Sequence, residues 1–288
     1  MDLYLIILLD VLNRASGLFI LCLGLAILFG MMRVINLAHG EFVMIGAYAT
    51  VISANAGVNI WISILVVAPL VTGAVGIVVE RVLIRHLYGR LVDSMLATWG
   101  LSLLLIGLVT TFFGNTMQGV PTPLGSFRIG LYSASWYTIF TIGVALALLA
   151  ATYGVLRFTR AGMVARAVMQ NPAMAQTLGV NPSTVYMTTF AVGAAVSGLA
   201  GGIIAPVSGI TPVMGMAFIA KSFITVVSGG SAILVGTATA SGIFGTINQL
   251  ATFFTTPVYG EVILFVCAII LIRLLPQGIT GRFFKGRL

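Results

Sequence analysis

Arg33-Val-Ile-Asn-Leu-Ala-His-Gly-Glu-Phe-Val-Met-Ile-Gly-Ala-Tyr48 places a histidine and a glutamate two residues apart, beside a glycine, between apolar runs each long enough to enter a bilayer. Ionisable groups at that depth cost about 2.5–3.5 kcal/mol apiece on insertion scales, and where they persist they mark pathways, relays or ligand partners. Asn36, His39 and Glu41 are therefore the first candidate site residues. On a helix, positions two apart point about 200° from each other, so His39 and Glu41 do not make a metal pair by themselves. No HExxH, CxxC or second histidine cluster accompanies them, and His86 stands alone. Two readings stay open. Either the three polar residues line a cavity at a helix discontinuity, where irregular backbone is tolerated, or they sit at the membrane interface near Arg33 and satisfy one another.

The rest of the chain sets the frame. With 59% hydrophobic and 7% charged residues in 288 and a mean hydropathy of +1.14, it falls among polytopic membrane proteins. The apolar runs are hydrophobic all round and rich in Gly and Ala, which selects an all-α helical bundle over a barrel of alternating strands. The net charge of +8 comes from Lys and Arg between the runs, without the basic and aromatic stripe of a nucleic-acid surface. Cys22 and Cys267 lie within apolar runs, so neither a disulfide framework nor a zinc site is expected.

In order, spans are expected near 15–32, after a short interfacial start, then 40–55, 60–79, 94–113, 135–157, 183–204, 215–228, 231–254 and 258–275. These are about nine spans in a single transmembrane domain over 1–288, with interrupted helices and an inverted repeat. The basic stretches 80–90 and 157–166 and the C-terminal Arg282, Lys285 and Arg287 fall on the cytoplasmic side, with the N-terminus outside. The loop 114–133, with Arg128 its only charge, falls outside.

Three further stretches stand out. Residues 158–182 read as two short capped helices: Asn171 suits an N-cap, Pro172 the first helical position, Gly179 a left-handed end, and Asn181-Pro182 repeats the start signal. That compact loop either docks a soluble partner or is a solvated linker, and a proline at 173 is the expected breaker. Gly215-Met-Ala-Phe-Ile-Ala-Lys221-Ser222 carries alanine where a Walker A loop needs its second glycine, and no strand precedes it, so phosphate binding is rejected. What remains is a lysine in a short Gly-terminated span, either an interfacial anchor or a counterpart to the His39 break, since paired interrupted segments mark transporter sites. Ala194, Gly198 and Gly202 recur every four residues, a stripe suited to close packing in a compact bundle or a dimer.

At these residues a family resemblance emerges. Arg33 to Tyr48 closely resembles the hallmark segment of bacterial ABC importer permeases of the branched-chain amino acid family, which includes urea and short-amide permeases. Arg166-Ala-Val-Met-Gln-Asn171 through Leu178-Gly-Val180 is similar to that family's coupling segment, and Pro276-Gln-Gly278 to its C-terminal ending. Leu87 to Ser102 looks most like the urea-type members, while Val227-Ser-Gly-Gly-Ser231-Ala departs from the usual Val-Leu-Gly-Gly-Gly. The resemblance implies an inner-membrane, multi-pass permease subunit importing small polar solutes, either branched-chain amino acids or urea and short amides. It would work by alternating access with a second permease, two ATP-binding subunits and a periplasmic binding protein. It implies ATPase coupling through Gly162, Arg166, Gln170, Asn171, Met174, Leu178 and Gly179, and a pathway or gate at Asn36, His39, Glu41, Lys221 and Ser222. The chain would be no enzyme and would hold no metal or cofactor, ATP and Mg being used by the partner subunits. The alternative is a self-sufficient small-solute channel or secondary transporter.

Overall fold

A computed structural model describes residues 2–32, 34–230 and 232–283. Arg33, Ser231, Lys285 and Arg287 lie outside the described residues, as does the side chain of Arg282. The helices in order are α1 (Asp2–Met32), α2 (His39–Asn55), α3 (Ile60–Ile62), a π-helical turn at Ser63–Val67, α4 (Ala68–Val82) and α5 (Leu91–Phe113). After a hairpin of β1 (Ser126–Ile129) and β2 (Tyr132–Ser135) come α6 (Trp136–Phe158), α7 (Arg160–Gln170), α8 (Pro172–Thr177) and α9 (Pro182–Ser208). The chain finishes with α10 (Met214–Gly229), α11 (Ile233–Phe254), α12 (Pro257–Leu274) and α13 (Gly278–Phe283).

Helices stand at each of the nine expected places, yet the count of full spans differs. Among the described residues six helical segments are long and apolar enough to cross a membrane, or up to seven if the bent pair α10 and α11 is one span. Helix α2, with 17 residues, reaches about 26 Å at 1.5 Å per residue, short of a core about 30 Å thick. The expected interfacial start is continuous with the first span. Nothing between Asp2 and Met32 breaks the helix, so α1 is a single rod of 31 residues, about 46 Å long. Sequence reading missed the hairpin as well. Its turn, Gly130-Leu131, needs a positive φ, which Gly130 supplies at 59°.

The chain divides into two compact units, one of residues 1–22, 122–149 and 221–288, the other of residues 23–121 and 150–220. The second unit is built on α2, α4 and α9, and the small-residue stripe of α9 explains their approach. A Cβ at Gly198 would strike Thr72 and the Ala68 carbonyl, one at Gly201 would strike the Val43 carbonyl, and one at Gly46 would strike the Gly198 backbone. The stripe is thus used within the chain. Such contact replaces the hydrophobic drive that lipid cannot provide between helices. Around it Leu28, Phe42, Val79, Ile84 and Phe190 are buried together, Phe42 and Phe190 meeting edge to face at 5.8 Å. In the first unit Gly245 lies against the Ala15 backbone, Gly229 against Gly236, and Gly260 beneath Thr252 and Asn248.

Candidate functional site

Between α1 and α2 the backbone is non-helical from Val34 to Ala38, and its freed groups find partners inside the protein. Asn36 Oδ1 accepts from the Ala38 N–H at 3.0 Å, and the Asn36 carbonyl accepts from the His39 N–H at 3.3 Å, so one asparagine shapes the start of α2. Thr98 of α5 reaches in from the side. Its Oγ1 accepts from the Leu37 N–H at 3.0 Å and lies 3.3 Å from the Ile35 carbonyl, while its own helix offers the Ser94 carbonyl at 2.7 Å. This is how a break is made tolerable away from water: a hydroxyl of a neighbouring helix satisfies the opened backbone.

His39 and Glu41 stand just beyond the break and both are fully buried. They do not pair with each other. Ser197 of α9 places Oγ 3.3 Å from His39 Nδ1. The Ser197 proton goes to the Gly193 carbonyl at 2.8 Å, which leaves Nδ1–H as the donor in that contact. Glu41 turns to α5, where Ser102 donates to Oε1, and its Oε2 has no hydrogen-bond partner among the described residues. Asn36 Nδ2 is likewise without one. The two glycines beside these groups are in backbone contact: a Cβ at Gly40 would fall on Gly215, and one at Gly215 would fall on the Glu41 carboxylate. The first turn of α10 therefore crosses the first turn of α2 with no side chain between them. Thr98, Ser102 and Ser197 escaped sequence reading; the available signal was a hydroxyl every four residues, Ser94, Thr98 and Ser102, along an otherwise apolar helix.

Lys221 and Ser222 belong to the other unit and have separate surroundings. Lys221 makes an ion pair with Glu261 of α12, and their side chains are 19% and 47% exposed. Ser222 is buried beside Cys22, near Thr225 and Ser241. Glu261 was missed, although a lone acid five residues into an apolar run is the same signal that singled out Glu41.

The loop 158–182 has the expected construction. Thr159 caps α7 by accepting from the Gly162 N–H at 3.1 Å, and Asn171 caps α8 by accepting from the Met174 N–H at 3.0 Å. Asn181 caps α9 through the Ser183 N–H at 3.0 Å, and Gly179 takes φ 84°. Gly162 is buried, and a Cβ there would strike the backbone of Val155 and Leu156, which folds α7 back on the end of α6. Arg166 Nε donates to the Gly162 carbonyl at 3.4 Å. Val168 and Ala175 point inward, whereas Met163, Gln170, Asn171, Met174 and Leu178 are exposed. Beneath Pro172 a cleft of about 480 Å³ is lined also by Met32, Tyr88, Gly89, Leu91 and Tyr186. Its wall is braced by Tyr88, whose hydroxyl donates to the buried Glu80 at 2.5 Å and whose ring lies 4.8 Å from that of Tyr186. Burial and the Glu80 carboxylate hold the Tyr88 phenol above its ordinary pKa, so it stays protonated and donating.

Apolar helices packed through glycines, with polar groups kept for internal breaks, are the build of a multi-pass membrane permease. The family model described as branched-chain amino acid transport system, permease component, matches residues 7–272. The chain belongs to that family, and with it to the permeases of the inner membrane. It is 30% identical over 281 residues, 91% of each chain, to the high-affinity branched-chain amino acid transport system permease protein LivH of Salmonella typhimurium LT2. It is 28% identical over 284 residues, again 91% of each, to BraD of Pseudomonas aeruginosa. It is also 26% identical over 282 residues, 92% of this chain and 89% of the other, to the probable LivH of Methanocaldococcus jannaschii. In fold alone it is similar to a chain of PsaBC from Streptococcus pneumoniae in complex with Fab, at TM-score 0.54 and 13% identity over 97% of this chain and 94% of that one. The urea-type likeness of residues 87–102 gains no support from these relatives.

Proposed function

We propose that this chain is the permease subunit of an ATP-driven importer of branched-chain amino acids, working with a second permease, two ATP-binding subunits and a periplasmic binding protein. The chain itself hydrolyses nothing; ATP and Mg belong to the partner subunits. The observation that carries the reading is the 158–182 loop. Two capped helices fastened through Gly162, Val168 and Ala175 hold Met174 and Leu178 outward, 59% and 75% exposed, as a preformed apolar face for a soluble partner. A solvated linker needs neither the caps nor the inward anchors. The names of the relatives favour branched-chain amino acids over urea or short amides.

In this reading ATP binding and release in the partners favour one or the other of two permease states, and solute is moved because its affinity differs between them. Asn36, His39 and Glu41 hold the break at the start of α2, and the Gly40 and Gly215 contact links that break to α10, so a shift of either segment is felt by the other. A gating role is assigned to this break, and a place on the solute pathway to Lys221 and Ser222, each within its own unit.

The test is association of the ATP-binding subunits with the permease. A proline at 173 is a poor breaker, because 173 is the second residue of α8 and its N–H has no intrahelical acceptor. Ala175→Pro removes the bond from the Ala175 N–H to the Asn171 carbonyl, 3.0 Å in the structure, and Met174→Asp puts a charge on the exposed face. Both variants should insert normally and lose co-purification of the ATP-binding subunits. Retention of those subunits by both would refute docking through this loop.

A further inference from the structure

We infer that Lys221 and Glu261 form a charge-matched receptor for a zwitterion, in which the solute's carboxylate takes the place of Glu261 on Lys221 and its ammonium takes the place of Lys221 on Glu261. This rests on the permease reading above and deepens it by naming the chemistry that selects the solute.

The pair has three properties that a brace between helices does not need. It is open: nearly half of the Glu261 side chain and a fifth of the Lys221 side chain are exposed. It adds little to holding α12 in place, because Gly260, one residue earlier, already lies directly beneath Thr252 and Asn248 of α11, and part-exposed ion pairs contribute little to stability. It has apolar surface one turn away on each helix, at half-buried Ile224 and exposed Val258, where a branched aliphatic side chain would lie.

The electrostatics select a zwitterion. With no solute, the two groups neutralise each other. An amino acid inserted between them keeps the net charge at zero and leaves each charge with an opposite partner. Urea or a short amide has no formal charge to give either group, so parting the pair for it would leave both charges uncompensated. A monovalent carboxylate or amine compensates one and strands the other. The displaced contact reforms when the solute leaves, so no proton or other reactant is consumed.

The experiment uses the complete transporter, permeases with ATP-binding subunits and binding protein, in vesicles, with uptake of radiolabelled leucine normalised to assembled complex. Lys221→Met and Glu261→Gln are each expected to lower uptake at least tenfold, and the doubly neutral variant to stay equally low. A structural ion pair predicts the opposite for the double variant, since removing both charges strands neither, and near-normal uptake there would overturn the inference. A second measurement needs no substitution. Millimolar leucine should slow acylation of Lys221 by an amine-reactive reagent several-fold in the unaltered transporter, while equal urea or acetamide should not; equal rates in all three would also overturn it. If the unaltered vesicles carry no leucine under ATP, the permease reading itself fails. If they carry leucine and so does the doubly neutral variant, only the zwitterion receptor fails.

Discussion

The break before α2 and the crossing of α10 with α12 begin from the same sequence signal, an ionisable residue in an apolar run, and end in opposite arrangements. At the break His39 and Glu41 are fully buried, and each is answered by a hydroxyl from a different helix, Ser197 and Ser102. At the crossing Lys221 is answered by a full opposite charge on Glu261, and the pair is partly open. Buried acid with neutral donors is a fixed arrangement, because losing a donor leaves a desolvated group with nothing to replace it. An open ion pair is exchangeable, because water or a charged solute can stand in for either partner. The first reads as architecture that positions a moving segment, the second as a surface that solute can use.

The comparison can be broken in several places. The largest effect is expected at the Gly40 and Gly215 contact, where there is no room for even one carbon. Gly40→Val should cost several kcal/mol, at or above the upper end of about 1–3 kcal/mol typical of overpacking, and strip folded protein from the membrane in a size-exclusion assay of extracted protein. Next is Ser102→Ala, which removes the donor from a buried carboxylate. It should lower stability by about 1–3 kcal/mol, seen as a lower melting temperature, and Ser102→Thr should recover most of it. Smaller again is the pair at the crossing: Lys221→Met should lower the melting temperature less than Ser102→Ala does, consistent with about 0–1 kcal/mol for an exposed pair. If Lys221→Met proves the more damaging of the two, the contrast between fixed and exchangeable sites is wrong. The smallest effect on the whole chain is expected from Asn171→Ala, about 1 kcal/mol of local helix stability from the lost cap, read as faster amide exchange confined to α8.

Much of this was legible in the sequence for identifiable reasons. Caps are local, so Asn171-Pro172, Gly179 and Asn181-Pro182 announced their helices, and a stripe of small residues in α9 announced close packing. Polar residues in apolar runs announced Asn36, His39, Glu41 and Lys221. Partners were not legible, because Ser102, Ser197, Thr98 and Glu261 lie dozens of residues away or more in sequence and are brought near only by the bundle. Span counting also exceeded what composition can decide: α2 has the apolar character of a span without the length, and the α1 helix runs through Asp10, Asn13 and Arg14 because none of them breaks a helix. The hairpin at 126–135 was hidden in a loop read only for its lack of positive charge.

The most direct test of the account is leucine uptake by purified protein in sealed vesicles, with the permeases, ATP-binding subunits and binding protein together and with this chain alone. The account predicts accumulation of leucine only in the complete system and only with ATP on the side of the 158–182 loop. Accumulation or equilibration of leucine by the chain alone, without nucleotide, would contradict it and favour a self-sufficient channel or secondary transporter.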